Sequence, residues 1–327
     1  MLKMWRKNKW KMALLLTAVM AMLAGCGNNA NTGNGGNTAS GGSSGNDQAA
    51  EASVSSEWPE VLRIGSLPME DGEMSRTADQ FAKDLGEYLG IEVETFEGED
   101  YNMMIEAMRS KKIDLTTYGP FGYIIAVERS NAKLLAAMNN GPGSEGTSVI
   151  IVPKDSPAQT VEDLKGKNFL FADPASTTGH LYPRATLMKL LDLKNDEIPE
   201  YFSNVSFSGG HDKSLLAIAN GDADGAATCS QCIEMIAGAG LIKAEDVRII
   251  AESDPIPGGG ALAYRGDLPQ DLVDKMREFA LSYAEKNPAY FEGMGAKGFF
   301  PAEDSDFDGV REIADMLEMS PEEMLSQ

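Results

Sequence analysis

Histidine and cysteine are nearly missing from this chain of 327 residues, which has two of the former and three of the latter. A structural zinc site takes about four N or S ligands. Beyond Cys26 the chain offers only Cys229, Cys232, His180 and His211, so neither a metal nor a cofactor is expected. Positive charge is also scarce: 28 Lys and Arg stand against 50 Asp and Glu, a formal charge of −22. That balance excludes a nucleic-acid partner, which demands basic patches. It also repels anionic solutes at long range, so any anion selectivity has to come from short, desolvated hydrogen bonds. Catalytic signatures are absent too. There is no Gly-x-Ser-x-Gly elbow, no HExxH and no glycine loop ending in Gly-Lys-Ser/Thr. Ser176, His211 and Asp212 make a poor triad, because Asp212 adjoins His211 in sequence and cannot easily orient the far imidazole nitrogen. No enzyme is expected.

A long apolar run is lacking as well. Met12 to Ala24 is apolar but only 13 residues long, below the roughly 20 a membrane-spanning helix needs. It follows Lys3, Arg6, Lys7, Lys9 and Lys11 and ends in Leu23-Ala24-Gly25-Cys26, the layout of a signal peptide closed by a sequence that resembles the bacterial lipobox. The reading is a signal peptide over 1–25 and a diacylglyceryl anchor on Cys26, holding the protein to the outer face of the bacterial cell membrane. Cleavage there leaves 23 basic against 50 acidic residues, a charge of −27. Residues 27–57 are almost wholly Gly, Asn, Ser, Ala and Thr, unable to bury a core. As a Gly-rich coil they form a tether with a span of roughly 30 Å. With Cys26 lipidated, Cys229-Ser230-Gln231-Cys232 is a lone CxxC. It is compatible with thiols or a bridge without function, with a stabilising disulfide, or with a redox or metal role.

From residue 58 onward, strand-like and helix-like segments alternate. Strands are expected at 61–67, 91–96, 113–118, 133–138, 147–152, 168–172, 204–207, 223–227, 247–251 and 261–264. Helices are expected at 75–89, 101–110, 121–130, near 161, and at 185–191, 213–220, 271–285 and 310–316. Such alternation predicts an α/β fold with two mostly parallel sheets covered by helices on both faces. Two sets in this length imply two lobes joined by a two-strand hinge: lobe one from 58–152 plus 255–327, lobe two from 153–254. Ligands of open sheets bind beyond the strands' carboxyl ends, which places the site in the cleft between the lobes.

One stretch concentrates site chemistry. Asp173-Pro174-Ala175-Ser176-Thr177-Thr178-Gly179-His180-Leu181-Tyr182-Pro183-Arg184 joins the apolar run Phe169 to Ala172 to a predicted helix. Backbone N–H groups at a helix start, surrounded by three hydroxyls, form an anion site that needs no cation. Ser176 as a simple helix cap is the alternative. His180, a turn into that helix, reads as a packing or solvent-facing residue.

Together with Ile113-Asp114-Leu115-Thr116-Thr117-Tyr118-Gly119-Pro120, Gly210-His211-Asp212 and Gly221-Asp222-Ala223-Asp224, in that order, this stretch resembles the phosphate/phosphite/phosphonate solute-binding proteins of ABC transporters over about residues 60 to 300. The resemblance implies a type II two-lobed periplasmic-binding fold. It also implies a small phosphorus oxyanion as ligand and partnership with an ABC permease and, through it, an ATPase. A monomer is expected. By the same resemblance Ser176, Thr177, Thr178 and Gly179 hold the oxyanion, with Tyr101, Tyr118 and His211 lining the cleft. Asp212 is either an acceptor for a protonated oxyanion or, as preferred, a carboxylate steadying its helix dipole. Where relatives that bind aminoethylphosphonate carry carboxylates for the ammonium, this chain has Gln231 and the run Gly258-Gly259-Gly260. A ligand without an amine, such as phosphate, phosphite or a small alkylphosphonate, fits better.

Overall fold

The computed structural model describes residues 58–67, 73–139, 141, 145–292 and 294–319. The expected signal peptide, the Cys26 anchor and the tether lie outside them. Along the chain the strands are β1 (Val61–Ser66), β2 (Glu92–Glu97), β3 (Leu115–Tyr118), β4 (Ala132–Asn139), β5 (Ser148–Pro153), β6 (Asn168–Phe171), β7 (Asn204–Phe207), β8 (Gly225–Cys229), β9 (Val247–Glu252), β10 (Gly260–Arg265) and β11 (Gly298–Phe300). The helices are α1 (Glu73–Leu89), α2 (Tyr101–Arg109), α3 (Pro120–Ser130), α4 (Tyr182–Leu191), α5 (Ile198–Tyr201), α6 (His211–Asn220), α7 (Ser230–Gly238), α8 (Gln270–Lys286), α9 (Pro288–Glu292) and α10 (Asp308–Met316). No helix among the described residues is long and apolar enough to cross a membrane.

The strands form two sheets, ordered β11-β4-β10-β3-β1-β2 and β7-β6-β8-β5-β9. Each sheet is covered on both faces, because successive side chains along a strand point to opposite sides. On β10, Ala261 and Ala263 join the cluster of Phe121 and Ile125, whereas Leu262 and Tyr264 join Phe81 and Phe279. On β5, Val149 and Ile151 pack with Leu215 and Ile236, while Ile150 and Val152 face Phe169 and Leu187. Strands buried on both faces read as continuous apolar runs, which is why these segments were legible.

Two expectations need correction. The sheets are mixed rather than mostly parallel: β1–β2, β1–β3, β6–β7 and β6–β8 are parallel, but β3–β10, β10–β4, β4–β11, β5–β8 and β5–β9 are antiparallel. The antiparallel halves arise where the chain crosses between sheets and re-enters from the opposite end. The first crossing also falls earlier than 152/153, since the whole of β5 sits inside the second sheet. The two crossings run side by side, with Gly146 bridging Ile256 antiparallel and the Ser253 N–H donating to the Ser148 carbonyl at 2.9 Å.

Candidate functional site

The lobe-two wall of the cleft is assembled from three loops. After β6, Ser176 caps a wide helical turn over Thr177–Leu181 that runs into α4. The Ser176 Oγ accepts from the Gly179 N–H at 2.9 Å. After β7, Gly210 leads into α6, so that His211 occupies its first position. The His211 Nε2 lies 3.3 Å from both the Ser176 and the Thr178 hydroxyls, and its Nδ1 lies 3.1 Å from the Thr228 hydroxyl at the end of β8. Ser148 donates to the Thr178 carbonyl at 2.6 Å and fixes that residue from β5. Gly179 is required by proximity: a Cβ there would run into the Ala172 side chain and lie 2.8 Å from the Ser176 Oγ and 3.1 Å from the His211 ring.

Lobe one meets this wall directly. Asp100 caps α2 by accepting from the Met103 N–H at 2.7 Å, and Tyr101, next along, brings its hydroxyl close to Ser176. The Tyr101 N–H lies near enough to the Asp173 carboxylate of lobe two to favour its charged form. At the start of α3, where Pro120 suits the first helical turn, the Phe121 N–H donates to the Thr177 Oγ1 at 2.8 Å. The lobes thus touch across the cleft through Tyr101, Asp173 and Thr177.

Between them lies a cavity of about 440 Å³ lined by Tyr101, Tyr118, Ser176, Thr177, Thr178, His211 and Gln231 among others. Among the described lining residues there is no lysine or arginine, and Glu145, exposed at the hinge, is the one carboxylate. Burial pushes His211 down to about 4, with only partial opposition from Asp212, so the imidazole is neutral at pH 7. Burial also raises the Tyr101 hydroxyl well above its usual range, and the charges of Asp173 and Asp212 add to the effect. Asp173 itself is pushed up to about 6 by burial and by Asp100, against the pull of N–H bonds from Ala175 and Tyr101. A neutral imidazole between three hydroxyls is adaptable: each group donates or accepts as its neighbours require. Such a ring presents several O–H and N–H donors to an incoming oxyanion without any cation.

The expected site residues are not all placed alike. Tyr101, Ser176, Thr178 and His211 converge on the cavity. Thr177 lines it, but its hydroxyl is held by the Phe121 N–H. Tyr118 also lines it, yet its hydroxyl donates to the Met104 carbonyl at 3.2 Å, leaving the ring as its contribution. Gly179 and Asp212 lie outside the lining. The Gly179 N–H is occupied by Ser176, and Asp212 is buried in the first turn of α6, where a carboxylate favours the helix dipole. Gln231 reaches the cavity from the first turn of α7. His180 is fully buried against Phe171 and Phe207, with Nδ1 2.9 Å from the Pro174 carbonyl, and burial pushes it down to about 3. Cys229 and Cys232 form a disulfide beside Gln231, with Cys229 on the cavity wall. Sequence reasoning missed Thr228 and Ser148. Both are lone hydroxyls in apolar strands, and a lone Thr or Ser there reads as β-propensity rather than as a partner for His211 or Thr178.

The chain is 29% identical over 295 residues to the phosphate-import protein PhnD of Mycolicibacterium smegmatis, covering 84% of this chain and 90% of that protein. It is 30% identical over 246 residues to the phosphonates-binding periplasmic protein of Escherichia coli, covering 73% of this chain and 71% of that one. The fold matches the crystal structure of a binding-protein component of an ABC phosphonate transporter from Pseudomonas aeruginosa. The TM-score is 0.71 at 24% identity, over 79% of this chain and 86% of that one. This likeness establishes the type II periplasmic-binding architecture of two lobes around a cleft. Residues 64–307 match the family model for the phosphonate periplasmic substrate-binding protein of ABC transporters, and the chain belongs to that family.

Proposed function

We propose that this protein captures a phosphorus oxyanion in the interlobe cleft, through Tyr101, Ser176, Thr178 and His211, and delivers it to an ABC permease from the outer face of the cell membrane. The observation that carries the reading is the neutral ring of hydroxyls and imidazole in a cavity with no lysine or arginine among its described lining residues. An oxyanion entering it exchanges water for charge-assisted O–H and N–H bonds, which are roughly twice as strong as neutral ones. Because the charge of −27 left after cleavage before Cys26 opposes an anion at long range, binding depends on these short contacts. Thr177 acts at one remove, by holding the α3 N-terminus against the site. Diacylglycerol on Cys26 and the Gly-rich tether keep the lobes close to the permease. One acyl chain gives only marginal anchoring, so two or more chains are required.

The test is calorimetric titration with phosphate, phosphite, methylphosphonate and aminoethylphosphonate. One-to-one binding of at least one of the first three, with no turnover on prolonged incubation, is the expected result. A 100-fold excess over Kd stabilises the folded chain by about 2.7 kcal/mol. Failure of every phosphorus oxyanion to bind or to shift the melting curve overturns the proposal. Mass spectrometry of the membrane-bound protein checks the anchor: a Cys26→Ala chain that stays diacylated and membrane-bound removes it.

A further inference from the structure

The cavity is larger than an inorganic oxyanion requires. Phosphate has five heavy atoms, whereas about 440 Å³ corresponds to roughly fifteen water volumes of about 30 Å³ each. It falls within the range of about 300–1,000 Å³ that holds drug-sized ligands. The cluster of Ser176, Thr178 and His211 lies on the lobe-two side, with Tyr101 facing it from lobe one. On the other side the cavity passes the carboxyl ends of β1, β3 and β4 and the amino end of β10 and continues down the α1 face of the lobe-one sheet. There its walls are mainly apolar, with Ile64, Phe81, Leu262, Tyr290 and Met294, while Ser66, Thr117 and Asn139 also line this side. Where β10 begins, the lining backbone packs closely against β4 through a glycine. Gly259 has φ +71°, and a Cβ on it would lie 2.6 Å from the Met138 carbonyl oxygen. No charged residue among those described lines the recess itself, and Glu145 stands apart on the hinge.

We propose that the ligand is an organophosphonate whose substituent is uncharged, apolar and several heavy atoms long, with the phosphonyl group at Ser176, Thr178 and His211 and the substituent in the recess beside Phe81 and Leu262. This assignment rests on the phosphorus-oxyanion reading and narrows it beyond phosphate, phosphite and methylphosphonate. Apolar cavities gain little from water, while each methylene buried in one raises affinity about fourfold. A chain of three additional carbons therefore outweighs a bare methyl by more than tenfold. Among the described residues no carboxylate lines the recess to balance an ammonium, so an amino-substituted ligand is expected to bind less tightly.

Titration of the full-length chain with phosphate, methylphosphonate, butylphosphonate and aminoethylphosphonate decides the matter. Butylphosphonate binding at least tenfold tighter than methylphosphonate is expected. Ala78→Leu, on α1 at the recess wall, should bring butylphosphonate to within about threefold of methylphosphonate while leaving the latter within twofold of its original affinity. If phosphate, methylphosphonate or aminoethylphosphonate binds as tightly as butylphosphonate, the recess is not ligand space, although the oxyanion reading survives. If none of the four binds, that reading fails with it. Should Ala78→Leu misfold, the ligand series on the unaltered chain still separates these outcomes.

Discussion

The two lobes carry the same scaffold with opposite surfaces. In each, a central strand pairs in parallel with the two strands that follow it: β1 with β2 and β3, β6 with β7 and β8. In each, an aspartate ahead of the third strand ties it to the central one. Asp114 accepts from the Arg63 N–H and Asp224 from the Asn168 N–H, both at 2.9 Å. Helix starts then face the cleft from corresponding places, Tyr101 on α2 opposite His211 on α6, and Gly119-Pro120 on α3 opposite Ser230-Gln231 on α7. The difference is chemical. Lobe two surrounds its helix starts with Ser176, Thr178, Thr228 and a neutral imidazole. Lobe one offers the Tyr101 hydroxyl, the Tyr118 ring, Met104 and a mainly apolar recess, with Ser66, Thr117 and Asn139 also on its lining. On the proposed reading lobe two supplies most of the groups that meet charge, and lobe one adds the Tyr101 hydroxyl and otherwise covers and shapes the cavity.

The comparison is broken most directly at Gly179. Gly179→Val drives a branched side chain into Ala172, Ser176 and His211, an overpacking worth about 1–3 kcal/mol of stability. It also displaces the hydroxyl ring, so calorimetry should detect no binding. Retained affinity would place the oxyanion elsewhere. Ser176→Ala is next. Loss of a buried hydrogen-bonding group costs roughly 1–3 kcal/mol, read as about 5- to 150-fold weaker binding, and loss of the cap at Gly179 lowers the melting temperature as well. Affinity unchanged within twofold would shift the site toward lobe one.

The third test concerns the contact between the lobes. Asp173 has a folded-state pKa raised to about 6, above the roughly 3.9 of an unfolded aspartate. Its folded state binds the extra proton, so its stabilising contribution is full below pH 4 and is lost as pH rises through 6. Asp173→Asn removes that slope, and the variant should gain about 1–3 kcal/mol on the parent between pH 4 and pH 7. His211 has the opposite sign. Depressed to about 4, it contributes above its unfolded value of about 6.5 and loses that contribution as pH falls toward 4. Parallel melting curves for parent and Asp173→Asn across this window would remove Asp173 from the account. The smallest effect belongs to lobe one: Tyr118→Phe deletes a bond to the Met104 carbonyl and a weaker one to the Met108 sulfur. Stability should fall by about 0.5–1.5 kcal/mol, with ligand affinity held within threefold. A tenfold loss of affinity would make lobe one an equal partner in charge recognition.

Much of the scaffold was legible because its strands are apolar on both faces and its helix ends are marked. Gly221 closes α6 in the left-handed conformation (φ +77°), and Pro120 opens α3. The misses have physical causes. Strands β3 and β8 begin two residues later than expected, because Asp114 and Asp224 turn their side chains to neighbouring backbone instead of extending the ladder. Helix α7 was overlooked because it opens within Cys229-Ser230-Gln231-Cys232, which reads as cysteine chemistry rather than as a helix start. At the site, the local run from Ser176 to Gly179 was visible as an anion-binding turn. The roles of its members were not: which hydroxyl caps, which is held by Phe121 and which faces His211 depends on residues 33 to 56 positions away.

Sequence by itself determined the alternation of strands and helices, the scarcity of cations and metal ligands, and the concentration of hydroxyls at one helix start. These are properties of composition and near neighbours. Tertiary structure alone decided that β5 belongs to the second sheet, that Tyr118 turns its hydroxyl inward and Asp212 stays off the cavity, and that a recess opens beside Phe81 and Leu262. Each of these depends on groups far apart in the chain meeting in a desolvated space, where burial fixes which polar atoms pair and which volume stays open.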